Sequence, residues 1–295
     1  MRFAAGGLHG NEPSGFCAVH ELLRDPGELA TDVVLLVGNV EAALHGEPFS
    51  HRALPDGHDM NRVWSDGHPG RLAGIARQAL GILRELPLEA GVDLHNNTGY
   101  NPIYAISIAA GCRRALARAW TRKLVLYPGT YMGTLLEQLE VQAPGVVVEC
   151  GQAGDPESDR AAAAGLRRFV RAETLDGIPE GEPGPHQTFR SLGRVVVRPE
   201  VRLGFGSESA AELRVIEAID RWNFVELAPG TLLGRFDGDP PLVLEGGPRR
   251  RGPRSVPGAR SARGVCWSWT PCWRPRTPRV AKQDCLLHVS ERLEG

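Results

Sequence analysis

The sequence lacks three features that would each indicate a specialised class of protein. Its 295 residues carry a net charge of −1, so no excess of positive charge favours binding to nucleic acid or to a membrane surface. No apolar run is long enough to span a bilayer, and Met1 leads directly into a predicted strand, which leaves no room for a signal peptide. The six cysteines have no regular spacing, so no disulfide framework is expected. These absences predict a cytoplasmic protein that binds neither nucleic acid nor membrane.

The first 175 residues alternate between apolar strand patterns and amphipathic helix patterns. A chain that alternates in this way favours an α/β domain, in which helices cover both faces of a parallel or mixed sheet. A long polar loop is predicted over residues 39–68. The predicted strands are 3–5, 33–37, 91–94, 103–108, 124–126 and 146–148, and the predicted helices are 13–23, 71–86, 112–120, 132–139 and 155–173.

The remaining residues have a different pattern. Residues 176–187 are rich in proline and glycine, which predicts a linker after the 1–175 domain. Residues 188–295 contain short strand patterns separated by glycine turns, which predicts a small all-β domain. Its predicted strands are 195–198, 212–216, 224–227, 231–235 and 286–289.

Residues 247–279 have an anomalous composition within this second domain. They contain nine arginines, six prolines and three tryptophans, but no lysine, aspartate or glutamate. Without this stretch the chain has 25 basic against 35 acidic residues. A translated reading-frame error is the favoured hypothesis, because out-of-frame GC-rich codons yield these amino acids. A basic arm for nucleic acid and a disordered Pro/Arg linker are the alternatives.

The first candidate functional residues lie near the start of the sequence. Gly6 and Gly7 favour a sharp turn after the first strand, and His9 and Glu12 follow before Pro13 begins a helix. An imidazole and a carboxylate on such a loop, with a third ligand from elsewhere, would form an open metal site. A polar loop with a capping glutamate is the alternative, and the spacing alone does not exclude it.

Three further polar motifs lie at the ends of predicted strands or in the long loop. In an open α/β sheet, functional sites form at the carboxyl ends of the strands, so these motifs are expected to converge. They are Asn61-Arg62, Asp93-Leu-His95 and Glu149-Cys-Gly151.

Together these motifs resemble the aspartoacylase/succinylglutamate desuccinylase family of zinc deacylases, which is related to zinc carboxypeptidases. The matching segments are Gly7-Leu-His-Gly-Asn-Glu12, Asp59-Met-Asn-Arg62, Asp93-Leu-His95 and Val148-Glu149-Cys-Gly151, in the family's order and at similar separations. The resemblance implies a zinc-carboxypeptidase-like three-layer α/β/α domain with a mixed sheet, followed by a small all-β domain. It also implies one catalytic zinc ion per chain.

The resemblance assigns His9, Glu12 and His95 as the zinc ligands. Two nitrogens and one carboxylate leave a fourth position for water, whose pKa zinc lowers to about 7. Glu149 corresponds to the family's general base, and burial after an apolar strand would raise its pKa towards neutrality. A strand-end glutamate in a salt bridge is the alternative. Asp93 is expected to orient a ligand rather than to bind metal.

The substrate is expected to contact three further residues. Asn61 and Arg62 resemble the family's clamp for a carboxylate, which a guanidinium binds with two hydrogen bonds. Asn96 follows His95 directly and is expected to line the pocket, with a tight turn as the alternative. The family also uses an arginine upstream of the Asn-Arg pair to polarise the scissile carbonyl. Arg52 is the nearest candidate for it. Its spacing departs from the family pattern, and a structural salt bridge is the alternative.

The predicted activity is therefore zinc-dependent hydrolysis of an N-acyl amino acid. The bond cleaved is a carbon–nitrogen bond other than a peptide bond. A zinc metallocarboxypeptidase and a catalytically impaired metal- or ligand-binding relative are the alternatives. The expected partner is a small-molecule N-acyl amino acid, and a homo-oligomer is left open. The sequence does not identify the acyl group or the amino acid.

Overall fold

The computed structural model of the chain describes residues 1–55, 57–97, 99–127, 132–228, 230–238, 241–245, 265–268 and 287–293. Two compact units are present: the first contains Met1–Asn96 and Ile103–His186, and the second contains Asn97–Pro102 and Gln187–Gly295. The anomalous stretch 247–279 lies outside the described residues except for 265–268.

The first unit alternates strands with helices, as the sequence predicts. Its strands are β1 (Arg2–Gly6), β2 (Val33–Val37), β3 (Ala90–Asn97), β4 (Tyr104–Ser107), β5 (Lys123–Leu126) and β6 (Gly145–Gln152). Its helices are α1 (Pro13–Arg24), α2 (Val40–Leu44), α3 (Arg71–Arg84), α4 (Arg113–Ala117), α5 (Leu135–Gln142) and α6 (Pro156–Arg171).

The strands form a mixed sheet in the order β5-β4-β6-β3-β1-β2. Strand β1 is parallel to both β2 and β3, and β4 is parallel to β5 but antiparallel to β6. The three strands that carry the predicted site, β1, β3 and β6, are therefore neighbours in the middle of the sheet.

Helices cover both faces of this sheet. Successive strand residues point to opposite sides, so each strand contributes side chains to a core on either face. On one face, Ala4 of β1 packs in a core with residues of α1 and α6, including Leu22 and Phe169. On the other face, Phe3 packs with residues of α3 and α5, including Leu80 and Leu139. This three-layer α/β/α arrangement confirms the predicted fold class.

The bounds of several elements in the first unit differ from the sequence prediction; α5, for example, is Leu135–Gln142 where a helix over 132–139 was predicted. The predicted loop 39–68 contains α2 and a 3-10 turn, Met60–Arg62. Strands β3 and β6 continue to Asn97 and Gln152, past the predicted strand ends at His95 and Glu149. Polar residues are uncommon in central strands, so a prediction from apolar patterns ends these strands too early.

Arg2 is a buried charged residue at the start of β1. It is 0% exposed, and its guanidinium donates hydrogen bonds to the carbonyl oxygens of Phe169 and, at 2.7 Å, Ala172, and to Glu89 at 3.1 Å. The guanidinium carbon also lies 5.5 Å from the centre of the Phe169 ring. Arg2 thus binds carbonyl oxygens that the carboxyl end of α6 leaves without helical partners.

The loop that carries His9 and Glu12 depends on a close approach between β1 and α1. A Cβ atom on Gly15 would lie 2.7 Å from the Cα of Gly6 and 2.9 Å from the carbonyl oxygen of Leu94. These distances leave no space for a side chain between the end of β1 and the first turn of α1.

We expect Gly15→Ala to destabilise the protein by about 1–3 kcal/mol, because the added methyl group overpacks backbone atoms that have no room to move. Gly81→Ala on the exposed side of α3 is the matched control, since nothing lies within 4 Å of its Cβ position. That substitution should stabilise the protein by about 0.5–1 kcal/mol. Urea unfolding midpoints measure both changes, and equal midpoints for Gly15→Ala and wild type would contradict the prediction.

The predicted linker 176–187 packs on the first unit. Glu182 accepts hydrogen bonds from the hydroxyl of Thr121 at 3.0 Å and from the ammonium of Lys123 at 3.1 Å. The backbone N–H of Gly181 donates to the carbonyl of Arg118 at 2.7 Å, and Ile178 is buried. Specific side chains thus attach this segment to the first unit, and its role as a linker stays a prediction.

The second unit consists mainly of strands. Its strands are β7 (Gln187–Val197), β8 (Leu203–Phe205), β9 (Leu213–Val215), β10 (Val225–Glu226), β11 (Gly234–Phe236), β12 (Leu242–Glu245), β13 (Val265–Ser268) and β14 (Leu287–Leu293). The long strand β7 pairs antiparallel with β12 and β14, which also pairs with β13, and β9 lies between β8 and β11. A β region therefore follows the α/β domain, as predicted.

In the described part of the chain, no helix combines the length and the apolar character that crossing a bilayer requires.

Candidate active site

The middle strands of the first unit bring three motifs that are distant in sequence to one place. His9 and Glu12 lie on the loop between β1 and α1, and His95 projects from β3, the parallel neighbour of β1. One donor atom from each of these three residues lies within 4.8 Å of the other two. The predicted ligand set is thus assembled as a compact, buried group.

The donor atoms of this group face one another directly. The Nδ1 atom of His9 is 2.8 Å from one oxygen of Glu12, and the Nδ1 atom of His95 is 2.7 Å from the other oxygen. The two Nδ1 atoms are 3.1 Å apart. The two ring nitrogens and the carboxylate therefore share one small centre, which a cation would fill.

A carboxylate lies behind each imidazole. The Nε2 atom of His9 is 3.1 Å from Asp59, and the Nε2 atom of His95 is 2.8 Å from Asp93. If each Nε2–H donates to its carboxylate, the lone pair of each Nδ1 points to the shared centre. Carboxylates of this kind orient metal-binding histidines. Two imidazoles and one carboxylate, so oriented, fit zinc in the open arrangement that leaves one position for another ligand.

The electrostatics of the group also favour positive charge at its centre. Burial acts to raise the pKa of Glu12, but His9 and His95 outweigh it and hold that pKa well below the ordinary value. Burial acts to lower the pKa of His95, but Asp93 and Glu12 outweigh it and raise that pKa well above the ordinary value. The carboxylate of Glu12 therefore remains ionised and attracts a cation.

Glu149 lies on β6, the neighbour of β3, and its carboxyl has a different environment from that of Glu12. Burial raises the pKa of Glu149 to about 7, with opposing contributions from His95 and Glu12. This value suits a group that accepts and returns a proton near neutral pH.

Cys150, next to Glu149, points to the opposite face of the sheet. It is fully buried in the core shared with α1 and α6. Burial raises the pKa of its thiol well above the ordinary value, so the thiolate that nucleophilic attack needs is not formed. A role for Cys150 as a nucleophile is therefore disfavoured.

Arg52 lies beside the candidate metal group, which consists of His9, Glu12 and His95. Its Nε donates to Asp59 at 3.0 Å, and its Nη1 lies 3.4 Å from the Glu12 oxygen that faces His9. Burial acts to raise the pKa of Asp59, but His9 and Arg52 hold it well below its usual value. Arg52 thus makes the salt bridge that was the alternative interpretation, and its role towards a substrate carbonyl stays a prediction.

The predicted carboxylate clamp lies in the 3-10 turn Met60–Arg62. The side-chain oxygen of Asn61 accepts a hydrogen bond from the backbone N–H of Leu135 at 3.0 Å, and its Nδ2 is 3.4 Å from Nε2 of His95. Arg62 donates from Nη1 to the carbonyl of Asn61 at 2.8 Å. The turn is thereby fixed next to the metal group, and substrate binding by both residues stays a prediction.

Asn96 has partners within the protein. Its amide lies between Ser14 at the start of α1 and the carbonyl of Gly151 on β6. The predicted contact of Asn96 with substrate stays a prediction, and these partners give the side chain a role that the sequence did not suggest.

No role was predicted for Asp59 from the sequence, although it belongs to the matching segment Asp59-Met-Asn-Arg62. Its partner His9 is 50 residues away in sequence, so no local pattern links the two residues. Ser14 and Asp159 gave no signal either, because a serine and an aspartate in first helical turns are ordinary capping residues.

Comparison with known proteins agrees with this geometry. The profile of the succinylglutamate desuccinylase/aspartoacylase catalytic domain matches residues 3–172, which include the three predicted ligands and Glu149. No curated protein matches the sequence.

Several solved structures share the fold. The succinylglutamate desuccinylase from Chromobacterium violaceum is 18% identical, with a TM-score of 0.60, and the match covers 100% of this chain and 85% of that one. Murine aminoacylase 3 is 19% identical, with a TM-score of 0.60 and coverage of 99% and 95%. A succinylglutamate desuccinylase/aspartoacylase from Rhodobacter sphaeroides is 20% identical, with a TM-score of 0.63 and coverage of 99% and 86%. At these identities the structures establish the fold alone, whereas the profile match spans more than half of the sequence. The chain therefore belongs to the succinylglutamate desuccinylase/aspartoacylase family.

Proposed function

We propose that this protein is a zinc-dependent hydrolase that removes the acyl group from a small N-acyl amino acid. The observation that carries the proposal is the buried group of His9, Glu12 and His95, with Glu149 on the neighbouring strand. Members of the family are hydrolytic deacylases, and the donor set suits one zinc ion per chain. Bound there, zinc would supply a Lewis acid that activates water and polarises a carbonyl group.

Glu149 is proposed as the general base and acid of this reaction. Its carboxylate takes a proton from the attacking water as the water oxygen bonds to the amide carbon. The carbon–nitrogen bond then breaks, and Glu149 returns the proton to the leaving amine. The products are a carboxylic acid and a free amino acid, so Glu149 ends in its initial state. Arg52 lies close enough to the group to stabilise the negative charge that develops on the carbonyl oxygen.

Arg62 and Asn61 are proposed to hold the substrate's carboxylate. A guanidinium is always charged at neutral pH and pairs with a carboxylate through two parallel hydrogen bonds. The hydrogen bonds of Asn61 fix the turn on which Arg62 lies. The guanidinium of Arg62 is therefore held near the group of His9, Glu12 and His95. The proposed substrates therefore carry a free carboxylate close to the scissile amide.

Cleavage assays on two series of compounds test this proposal. Short N-acetyl and N-succinyl amino acids represent the deacylase substrates, and N-blocked dipeptides with a free carboxyl terminus represent those of a carboxypeptidase. We expect release of the free amino acid from the first series and little cleavage of the second. Preferential cleavage of the dipeptides would replace the proposal with a carboxypeptidase, and cleavage of neither series by the zinc-loaded protein would reject hydrolysis of both kinds.

The pH dependence of the reaction follows from the state of Glu149. A general base must be deprotonated, and burial raises the pKa of Glu149 to about 7. We therefore expect kcat/KM to fall on the acid side of pH 7, approaching a tenfold decrease per pH unit. A rate profile between pH 5 and 9 at constant zinc occupancy measures this limb. A rate that stays constant down to pH 5 would contradict the assignment.

A further inference from the structure

We propose that Asn96 is a positioning residue that, together with Ser14, fixes the metal ligands and the general base relative to one another. This inference rests on the proposed function, because it concerns the geometry of that site. The two residues are 82 positions apart in sequence, and both are buried, with exposures of 3% for Asn96 and 0% for Ser14. Neither belongs to the group of three ligands.

The first step of the argument is the link from Asn96 to Glu12. The backbone N–H of Asn96 donates to Oε2 of Glu12 at 3.1 Å, the same oxygen that faces Nδ1 of His95. The side-chain oxygen of Asn96 accepts from the backbone N–H of Ser14 at 3.0 Å, two residues after Glu12. Asn96 therefore holds both the carboxylate of Glu12 and the start of the helix that follows it.

The second step is the link to the strand that carries Glu149. The side-chain amide of Asn96 donates to the carbonyl oxygen of Gly151 on β6 at 3.2 Å. Gly151 is two residues after Glu149 on this strand. One side chain thus connects the β3 strand of His95, the helix after Glu12 and the strand of Glu149.

The third step is the hydroxyl of Ser14, which completes the network. The amide of Asn96 also donates to this hydroxyl at 2.8 Å, and the hydroxyl in turn donates to Asp159 on α6 at 2.6 Å. Both N–H groups of the Asn96 amide are therefore used by the protein, and its oxygen accepts from Ser14. A substrate would have to displace one of these buried hydrogen bonds to reach the amide, which favours positioning over substrate contact.

Metal affinity tests this inference without relying on turnover. Residues that orient metal ligands typically contribute about 10- to 100-fold to metal affinity. We expect Asn96→Ala to weaken cobalt binding by about that factor, measured by competition with a chelator. The visible absorption of bound cobalt should also change, because it depends on coordination geometry. Ser14→Ala should have the same effects to a smaller degree, since it keeps the backbone N–H that Asn96 accepts from.

A double-mutant cycle and a matched control separate positioning from a general loss of stability. If Asn96 and Ser14 act as one unit, the double variant should lose less affinity than the product of the two single losses. Ser107→Ala is the control, because Ser107 is also 0% exposed and its hydroxyl donates to the carbonyl of Gly145 at 3.2 Å, away from the ligands. This variant should keep the wild-type cobalt affinity and spectrum.

Unchanged cobalt affinity and an unchanged spectrum in folded Asn96→Ala would overturn the inference, and if that variant does not fold, Ser14→Ala decides by the same criteria. A wild type that binds no cobalt would overturn it as well. If the variants lose cobalt affinity but the wild type hydrolyses no N-acyl amino acid, the proposed function fails and the positioning role stands. If the wild type hydrolyses such substrates and the variants bind cobalt normally, only the positioning role fails.

Discussion

Replacing Glu149 with glutamine is expected to reduce turnover by about 10²- to 10⁴-fold, the usual contribution of a general acid–base group. Glutamine keeps the size and shape of the side chain but neither accepts nor returns a proton at neutral pH. The three metal ligands are untouched, so the variant should retain one zinc ion per chain. Activity on the best N-acyl amino acid, measured together with zinc content, reports both expectations.

Cys150→Ala is the matched control for this experiment. Cys150 is the next residue on the same strand, but it lies in the core on the opposite face of the sheet. Its substitution should cost some stability through a small cavity and leave turnover close to the wild-type value. Near-normal turnover by Glu149→Gln would remove Glu149 from its role, and loss of turnover in folded Cys150→Ala would revive the thiol as a candidate.

Replacing His95 with alanine is expected to abolish zinc binding under conditions in which the wild type retains one ion per chain. The substitution removes one of three donors and leaves the carboxylates of Glu12 and Asp93 without their shared imidazole. The loss of affinity should exceed the roughly 10- to 100-fold that follows removal of a residue behind a ligand. Metal analysis of the purified proteins measures the effect directly.

His20→Ala is the control for this loss, because His20 is an exposed histidine on α1. It should retain the full zinc content. Circular dichroism should show that His95→Ala is folded, and His95→Gln, which preserves more of the side-chain volume, provides a second variant if it is not. Wild-type zinc content in a folded His95 variant would contradict the assignment, and a well-folded wild type without zinc would favour a ligand-binding relative that has lost the chemistry.

The meeting of His9, Glu12 and His95 could be predicted because each lies in a short motif that resembles the family's and has a local structural cause. The glycines after β1 predicted a tight loop for His9 and Glu12, and β-branched or apolar residues marked the strands that bring in His95 and Glu149. The order of alternating strands and helices then predicted that strand ends converge. The structure places the three ligands within 4.8 Å of one another.

The hydrogen-bond network of Asn96 could not be predicted in the same way. Its partners Ser14 and Gly151 are 82 and 55 residues away, and polar pairs at such separations leave no periodic pattern. Composition likewise gave no sign of the hydrogen bonds within 176–187, where Glu182 binds Thr121 and Lys123. Long-range polar contacts are thus the part of this structure that local patterns do not contain.

Arg2 has a consequence for the order in which a growing chain folds. Its strand lies between β2 and β3 in the middle of the sheet, yet the two carbonyl oxygens that accept from its Nη1 belong to Phe169 and Ala172. At about 5–20 residues per second, a ribosome needs roughly 10–30 s to add the intervening residues. During that time Glu89 can pair with the charge of Arg2, but the guanidinium would be buried without two of its hydrogen bonds if the sheet closed around β1. Strand β1 is therefore expected to complete its packing only after α6 has been made, which favours folding of the whole α/β unit in one late step.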